Sequence, residues 1–154
     1  MVERHIIAQI DNGSRSSLRE GISQEEQLPR SSEHILITGM IDGEEKGKLN
    51  ASLVVRRIFD EETGDYVEST RVINLGSIEV RPKYRHQGLG TAMLAEIERQ
   101  ARLFGAERIS GKVTDTDVRE TPNLLGFYRG NGFTPNKVCE GWVITKPLSS
   151  RALH

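Results

Sequence analysis

The feature that most constrains this chain is a change of hydrophobic period at Gly88. Before it, residues 66–80 read as a strand-like run. After it, apolar residues fall at Leu89, Met93, Leu94, Ile97, Ala101 and Phe104, the i, i+4, i+8 stripe of an amphipathic helix. Glu98 and Arg102 sit at i, i+4 in the favourable order, and Gly105 is a natural C-cap. A strand therefore passes into a long helix through Arg85-His86-Gln87-Gly88-Leu89-Gly90-Thr91.

The chain before that turn reads mostly as strands. Residues 4–10 are a short strand, and residues 35–41, 48–59 and 66–80 are three more. Glu62-Thr63-Gly64-Asp65 reads as a hairpin turn, and Gly76 inside the last strand marks a bulge or a close backbone approach. Residues 11–33 are polar and read as a loop with a turn or two of helix near 16–20. After the long helix, residues 108–114 are a strand. Thr121-Pro122 opens a short helix as N-cap and N1, running through about Arg129, and residues 139–146 alternate like a last strand. The order implies a mixed α/β sheet whose first half is an antiparallel meander.

At 154 residues the chain fits one domain, 1–154. With 36% apolar and 28% charged residues it has a globular composition, and no run approaches the roughly 20 apolar residues of a membrane span. No apolar leader segment is visible at the N-terminus, and a single cysteine, Cys139, cannot form an internal disulfide; both suggest a cytoplasmic setting. Cys139 reads as a small apolar filler. A net charge of −1 gives no general attraction to nucleic acid or anionic lipid. Residues 1–80 carry 9 Lys+Arg against 15 Asp+Glu, whereas residues 81–154 carry 12 against 7, so an anionic ligand favours the second half. The four histidines are too scattered for a metal site.

The glycine turn has a chemical meaning. A helix start exposes N–H groups without intrahelical partners, and two glycines let a ligand approach the backbone. This makes a cradle for a phosphate or diphosphate, with Arg81, Lys83, Arg85 and His86 adding positive charge. The rival fingerprints fail: a dinucleotide-binding turn needs Gly where Met93 stands, and a P-loop needs Gly-Lys-Ser/Thr, which is absent there. Taken alone, the turn also serves as a tight strand-to-helix connection.

Arg85-x-x-Gly88-x-Gly90 resembles the Arg/Gln-x-x-Gly-x-Gly/Ala signature of the GNAT superfamily of N-acetyltransferases. Phe127-Tyr128-Arg129-Gly130-Asn131-Gly132-Phe133 resembles that family's second motif, with Tyr128 standing 38 residues after Gly90. The resemblance covers about residues 72–145; residues 1–70 match only as strands in order. It implies a GNAT-like fold, a mixed and mostly antiparallel sheet with a splayed parallel strand pair flanked by helices. It also implies acetyl-CoA as co-substrate, lying between residues 73–80 and 108–114. The pantetheine arm is then expected on backbone groups of Ile78, Glu79 and Val80. The diphosphate is expected on the N–H groups of the segment from His86 through Gln87, Gly88, Leu89 and Gly90 to Thr91, beside Arg85. Tyr128 matches the proton donor to the CoA thiolate, and the Val80 N–H is expected to hold the oxyanion. The family's CoA-contacting Asn falls at Thr121 here, so Asn123 is the substitute expected.

The general base is unassigned. Positions where family members carry Glu hold Asn74 and Lys112, which leaves Glu79, Asp115, Asp117 or a water chain. Glu20, Glu25 and Glu26 and the acidic first half favour a basic acceptor, a small-molecule or peptide amine such as a polyamine, aminoglycoside, lysine or N-terminal amine. A homodimer stays open. The leading function is an acetyl-CoA-dependent N-acetyltransferase. The alternatives are a catalytically silent acyl-CoA-binding module of the same fold and an unrelated nucleotide binder.

Overall fold

The computed structural model describes residues 4–11 and 30–148. Seven strands form one sheet in the order β1-β2-β3-β4-β5-β7-β6. They are β1 (Arg4–Asp11), β2 (Arg30–Ile41), β3 (Glu44–Asp60), β4 (Asp65–Val80), β5 (Arg108–Thr114), β6 (Thr134–Val138) and β7 (Gly141–Pro147). Every neighbouring pair is antiparallel except β4 and β5, which run parallel. The helices are α1 (Leu89–Leu103), α2 (Asp115–Glu120) and α3 (Leu124–Gly130). This is the mixed, mostly antiparallel sheet with one parallel pair that the family resemblance implies.

The α1 stripe forms as its period requires. Leu89, Met93, Leu94, Ile97 and Ala101 are buried against Ile35, Ile37, Leu49, Leu53 and Ile73 of the sheet in one core cluster. Each fully buried Leu or Ile contributes about 1.5–3 kcal/mol. Gly105, with φ 74°, closes the helix end as expected. The bulge at Gly76 is real: Ser77 pairs with Asn50 and Leu75 pairs with Ala51, leaving Gly76 as the extra residue.

The structure corrects several sequence expectations. β2 begins at Arg30, five residues earlier than its apolar run, because it pairs with β3 as far as Arg56. It joins β3 through Asp42-Gly43, both at positive φ, the two-residue turn that suits strand twist. Thr121 ends a helix instead of opening one. Thr114 caps the unexpected α2 through a capping box with Asp117, and Asn123 precedes α3. The last region is a hairpin of β6 and β7, and Cys139 lies exposed at its turn, so it fills no core space. The helical turn expected near 16–20 lies outside the described residues. Among the described residues no helix is long and apolar enough to cross a membrane.

Candidate active site

The glycine turn connects β4 to α1 by way of a 3-10 turn, Pro82–Tyr84. His86 has φ 64° and Gly88 φ 84°, so the chain twice enters the left-handed region around Gln87. A Cβ at Gly88 would be strained there, which is one reason for glycine. The first intrahelical bond runs from the Ala92 N–H to the Gly88 carbonyl, 3.0 Å. The N–H groups of Leu89, Gly90 and Thr91 therefore have no partner inside the helix. No side chain caps the helix start, and among the described residues no backbone acceptor meets the N–H of His86, Gln87 or Gly88.

Three side chains fix the shape of this turn. Arg85 Nε donates to the Val80 carbonyl at 3.0 Å, and Gln87 Nε2 donates to the Lys83 carbonyl at 3.3 Å. Arg4 Nη1, from the far edge strand β1, donates to the Gln87 carbonyl at 2.7 Å. Sequence reading missed Arg4, and no signal could have found it, because 83 residues separate the partners. Arg81, Lys83, Arg85 and His86 are all exposed around the turn.

Next to the turn the sheet opens. β4 pairs with β5 only from Val72 to Leu75, and from the Gly76 bulge onward the two strands part. The opened edge has a definite polarity. The Arg81 N–H donates to the Lys46 carbonyl on β3 at 2.8 Å. Backbone groups alternate sides along a strand, so Glu79 also faces β3, where it is paired with Lys48. Ile78 and Val80 face the gap. Of the three residues expected to meet the pantetheine arm, two turn backbone groups that way and Glu79 does not. The Val80 carbonyl is already taken by Arg85.

Tyr128 lies on α3 and is 5% exposed. Its ring packs between Phe127 and Phe133, with centroids at 5.3 and 5.6 Å. Burial, and then the nearby charge of Asp117, pushes the phenol up to about 12. The hydroxyl thus stays protonated throughout the physiological range. The two sequence motifs meet in space: a Cβ at Gly90 would lie 3.0 Å from Phe127 Cζ and 3.9 Å from Ile78 Cδ1. Gly90 is therefore needed for close packing of α3 on the helix start, whereas Gly88 is needed for its backbone angle. Asn123 sits exposed just before α3 and makes no capping bond.

The acidic candidates are mostly engaged elsewhere. Asp115 pairs with Lys137 at 3.3 Å, and Asp117 Oδ2 accepts from the Thr114 N–H at 2.9 Å. Glu79, Asn74 and Lys112 are exposed. On the sheet face that bears Asn74, His34 Nε2 lies 3.2 Å from Asn50 Oδ1, and Asn50 Nδ2 donates to Ser77 Oγ at 3.3 Å. That polar row was not visible in the sequence. Glu20, Glu25 and Glu26 lie outside the described residues. Among the described residues no group of three or more His, Cys, Asp or Glu is placed to hold a metal ion.

A sheet opened at its one parallel pair, beside a helix start with free N–H groups, defines an acetyltransferase fold. The chain matches the acetyltransferase (GNAT) family over residues 5–133 and belongs to that family. Solved structures show the same fold. A GNAT-family protein from Desulfovibrio desulfuricans superposes with a TM-score of 0.57 at 20% identity, over 74% of this chain and 69% of that one. The PaiA N-acetyltransferase of Thermoplasma acidophilum, solved in complex with coenzyme A, gives 0.52 at 16% identity, over 85% and 66%. Chaetomium thermophilum Naa20, solved with a bisubstrate analogue, gives 0.55 at 14% identity, over 76% and 67%. The chain spans about two thirds of the length of each of these structures. No curated protein matches the sequence.

Proposed function

We propose that this chain is an acetyl-CoA-dependent N-acetyltransferase acting on a primary amine. The observation that carries the reading is the parting of β4 from β5 beside the glycine turn. The residues present fit the co-substrate. The gap offers the backbone of Ile78 and the N–H of Val80 to an extended arm, and the turn offers N–H groups from His86 to Thr91 to a diphosphate. Arg81, Lys83, Arg85 and His86 add a field that favours that anion. Asn123 is the further contact we propose on the α3 side.

Acetyl-CoA, when bound, supplies a thioester that a neutral amine can attack. The oxyanion donor we propose is the Ile78 N–H rather than that of Val80. Ile78 lies two residues, about 6–7 Å, farther from the cradle along the open edge, where the acyl end of an arm anchored at the cradle would reach. Tyr128, neutral and held by its aromatic neighbours, gives its proton to the departing thiolate. The acceptor amine, with a lysine-like pKa of about 10.4, must first lose a proton, and we propose water as its path. The acidic first half favours a basic small-molecule or peptide acceptor, and a cytoplasmic location suits acetyl-CoA.

A second reading has one observation in its favour: Asp115 and Asp117 are tied into structural contacts, and Asn74 and Lys112 stand at two family carboxylate positions. That reading is a silent acyl-CoA-binding module. A panel of polyamines, aminoglycosides, lysine and peptide N-termini, with detection of released CoA thiol, separates the two. Release with any amine supports the enzyme. CoA binding without release supports the module, and no CoA binding overturns both.

A further inference from the structure

We infer that Arg4 is a positioning residue for the diphosphate cradle, an inference that rests on the acyl-CoA reading above. Arg4 opens β1, and the eight-residue register of β1 with β2 fixes its place beside the start of α1. From there Nη1 reaches the Gln87 carbonyl at 2.7 Å, and it would lie 3.0 Å from a Cβ at Gly88. The guanidinium therefore sits directly on the glycine turn.

The consequence follows from peptide geometry. In a trans peptide the C=O and the next N–H point in opposite directions. Holding the Gln87 carbonyl toward β1 thus turns the Gly88 N–H to the opposite side, away from β1. Glycine is the residue that most readily allows this peptide to flip, because it accepts either sign of φ. Neither Arg85 nor Gln87, the other two braces of the turn, bonds to this peptide: their acceptors are the Val80 and Lys83 carbonyls. Arg4 is the described side chain that selects one orientation. A guanidinium also makes a stronger, charge-assisted bond than a neutral donor and adds positive charge behind the cradle.

The test compares wild-type protein with Arg4→Ala and Arg4→Lys by titration calorimetry, using CoA and dephospho-CoA, which keeps the diphosphate but lacks the 3′-phosphate. Thermal melting is recorded for each variant. Arg4→Ala is expected to weaken both ligands equally, by about tenfold, with the melting temperature unchanged within about 2 °C, as for an exposed side chain. Arg4→Lys, which keeps a charge and a donor, is expected to recover part of that loss. Wild-type affinity in Arg4→Ala overturns the inference and leaves the acyl-CoA reading intact. A loss seen with CoA but not with dephospho-CoA also overturns it, since Arg4 would then be meeting the 3′-phosphate. So does a loss that accompanies a lowered melting temperature and is not recovered by lysine. Failure of the wild-type protein to bind CoA removes the reading and the inference together.

Discussion

Replacing Tyr128 with phenylalanine separates catalysis from stability, and the structure sets both magnitudes. The ring is buried between Phe127 and Phe133, and phenylalanine keeps those contacts. The hydroxyl has no hydrogen-bond partner among the described residues, and it is not sealed from water. Its removal leaves no partner stranded, so folding stability changes by less than about 1 kcal/mol. In a chain of this length that is a shift of at most about 2–4 °C. The rate is a different matter. Loss of a positioned proton donor costs about 10²–10⁴ in kcat, or about 2.7–5.4 kcal/mol, with a modest change in KM for acetyl-CoA. The assay is steady-state thiol release beside a thermal melt of the same sample. The pH behaviour adds a second check. Burial, with the charge of Asp117 behind it, raises the phenol to about 12, so wild-type kcat shows no falling limb from Tyr128 below about pH 10. Its folded value lies above the unfolded value of about 10. The folded chain therefore holds this proton longer, and stability is lost as pH rises through 10 toward 12. The phenylalanine variant lacks that loss. Unchanged kcat would refute the donor role. A fall in kcat matched by a melting temperature lower by 10 °C or more would make Tyr128 structural.

Three further substitutions test the geometry. Gly141→Ala places a Cβ against the Val113 carbonyl oxygen, at a backbone φ of 150°, and should cost about 3 kcal/mol or more in urea unfolding; a cost under about 1 kcal/mol would contradict the turn described. Lys146→Met removes the 2.6 Å bond to Glu98 and the 3.0 Å bond to the Asn131 carbonyl, and should cost about 1–3 kcal/mol at pH 7. Burial pushes Glu98 up, but hydrogen bonds from Lys146 and Arg102 outweigh it and hold the carboxyl below its ordinary value. Its contribution is thus present above about pH 4.5 and lost below, so the variant should lose less stability between pH 7 and 3.5 than wild type does. Gly90→Ala crowds the Phe127 ring by a few tenths of an ångström; alanine's helix preference, about 1 kcal/mol, offsets part of an overpacking cost of about 1–3 kcal/mol. The expected result is a nearly unchanged melt with kcat down by about tenfold, because the displaced ring adjoins Tyr128; full activity would show that the α1–α3 contact does not set the position of Tyr128.

Elements with a strong internal period were legible from the residues. Five of the six buried residues of α1 are the ones its 3.6-residue stripe selects, Gln100 being the sixth, and residues 108–114 bound β5 in both views. The bulge at Gly76 was legible because glycine inside an apolar strand has few other uses. Short elements lacked that redundancy. α2 has six residues and buries none of them, so no stripe announces it, and only the Thr114–Asp117 cap pattern was there to read. Thr-Pro serves equally after one helix and before the next, so the dipeptide alone does not say on which side of the break Thr121 falls. In β6 the residues are mostly exposed, and Pro135 interrupts the alternation that would have separated it from β7.

The candidate site divides along the same line. Which residues meet was written in two motifs, and Gly90 against Phe127 is their point of contact. Which way their groups face was not. The side taken by the Glu79 backbone depends on a register with β3 that the Arg81–Lys46 bond fixes, and no residue type in 78–80 carries that information. The two glycines of the turn are one letter with two physical causes, a positive φ at 88 and a lack of room at 90. The orientation of the peptide between Gln87 and Gly88 depends on an arginine 83 positions away. Sequence motifs identify a site where local chemistry selects the residue. The direction of each N–H is set by long-range pairing, and the polar row of His34, Asn50 and Ser77, spread over β2, β3 and β4, leaves no comparable local pattern.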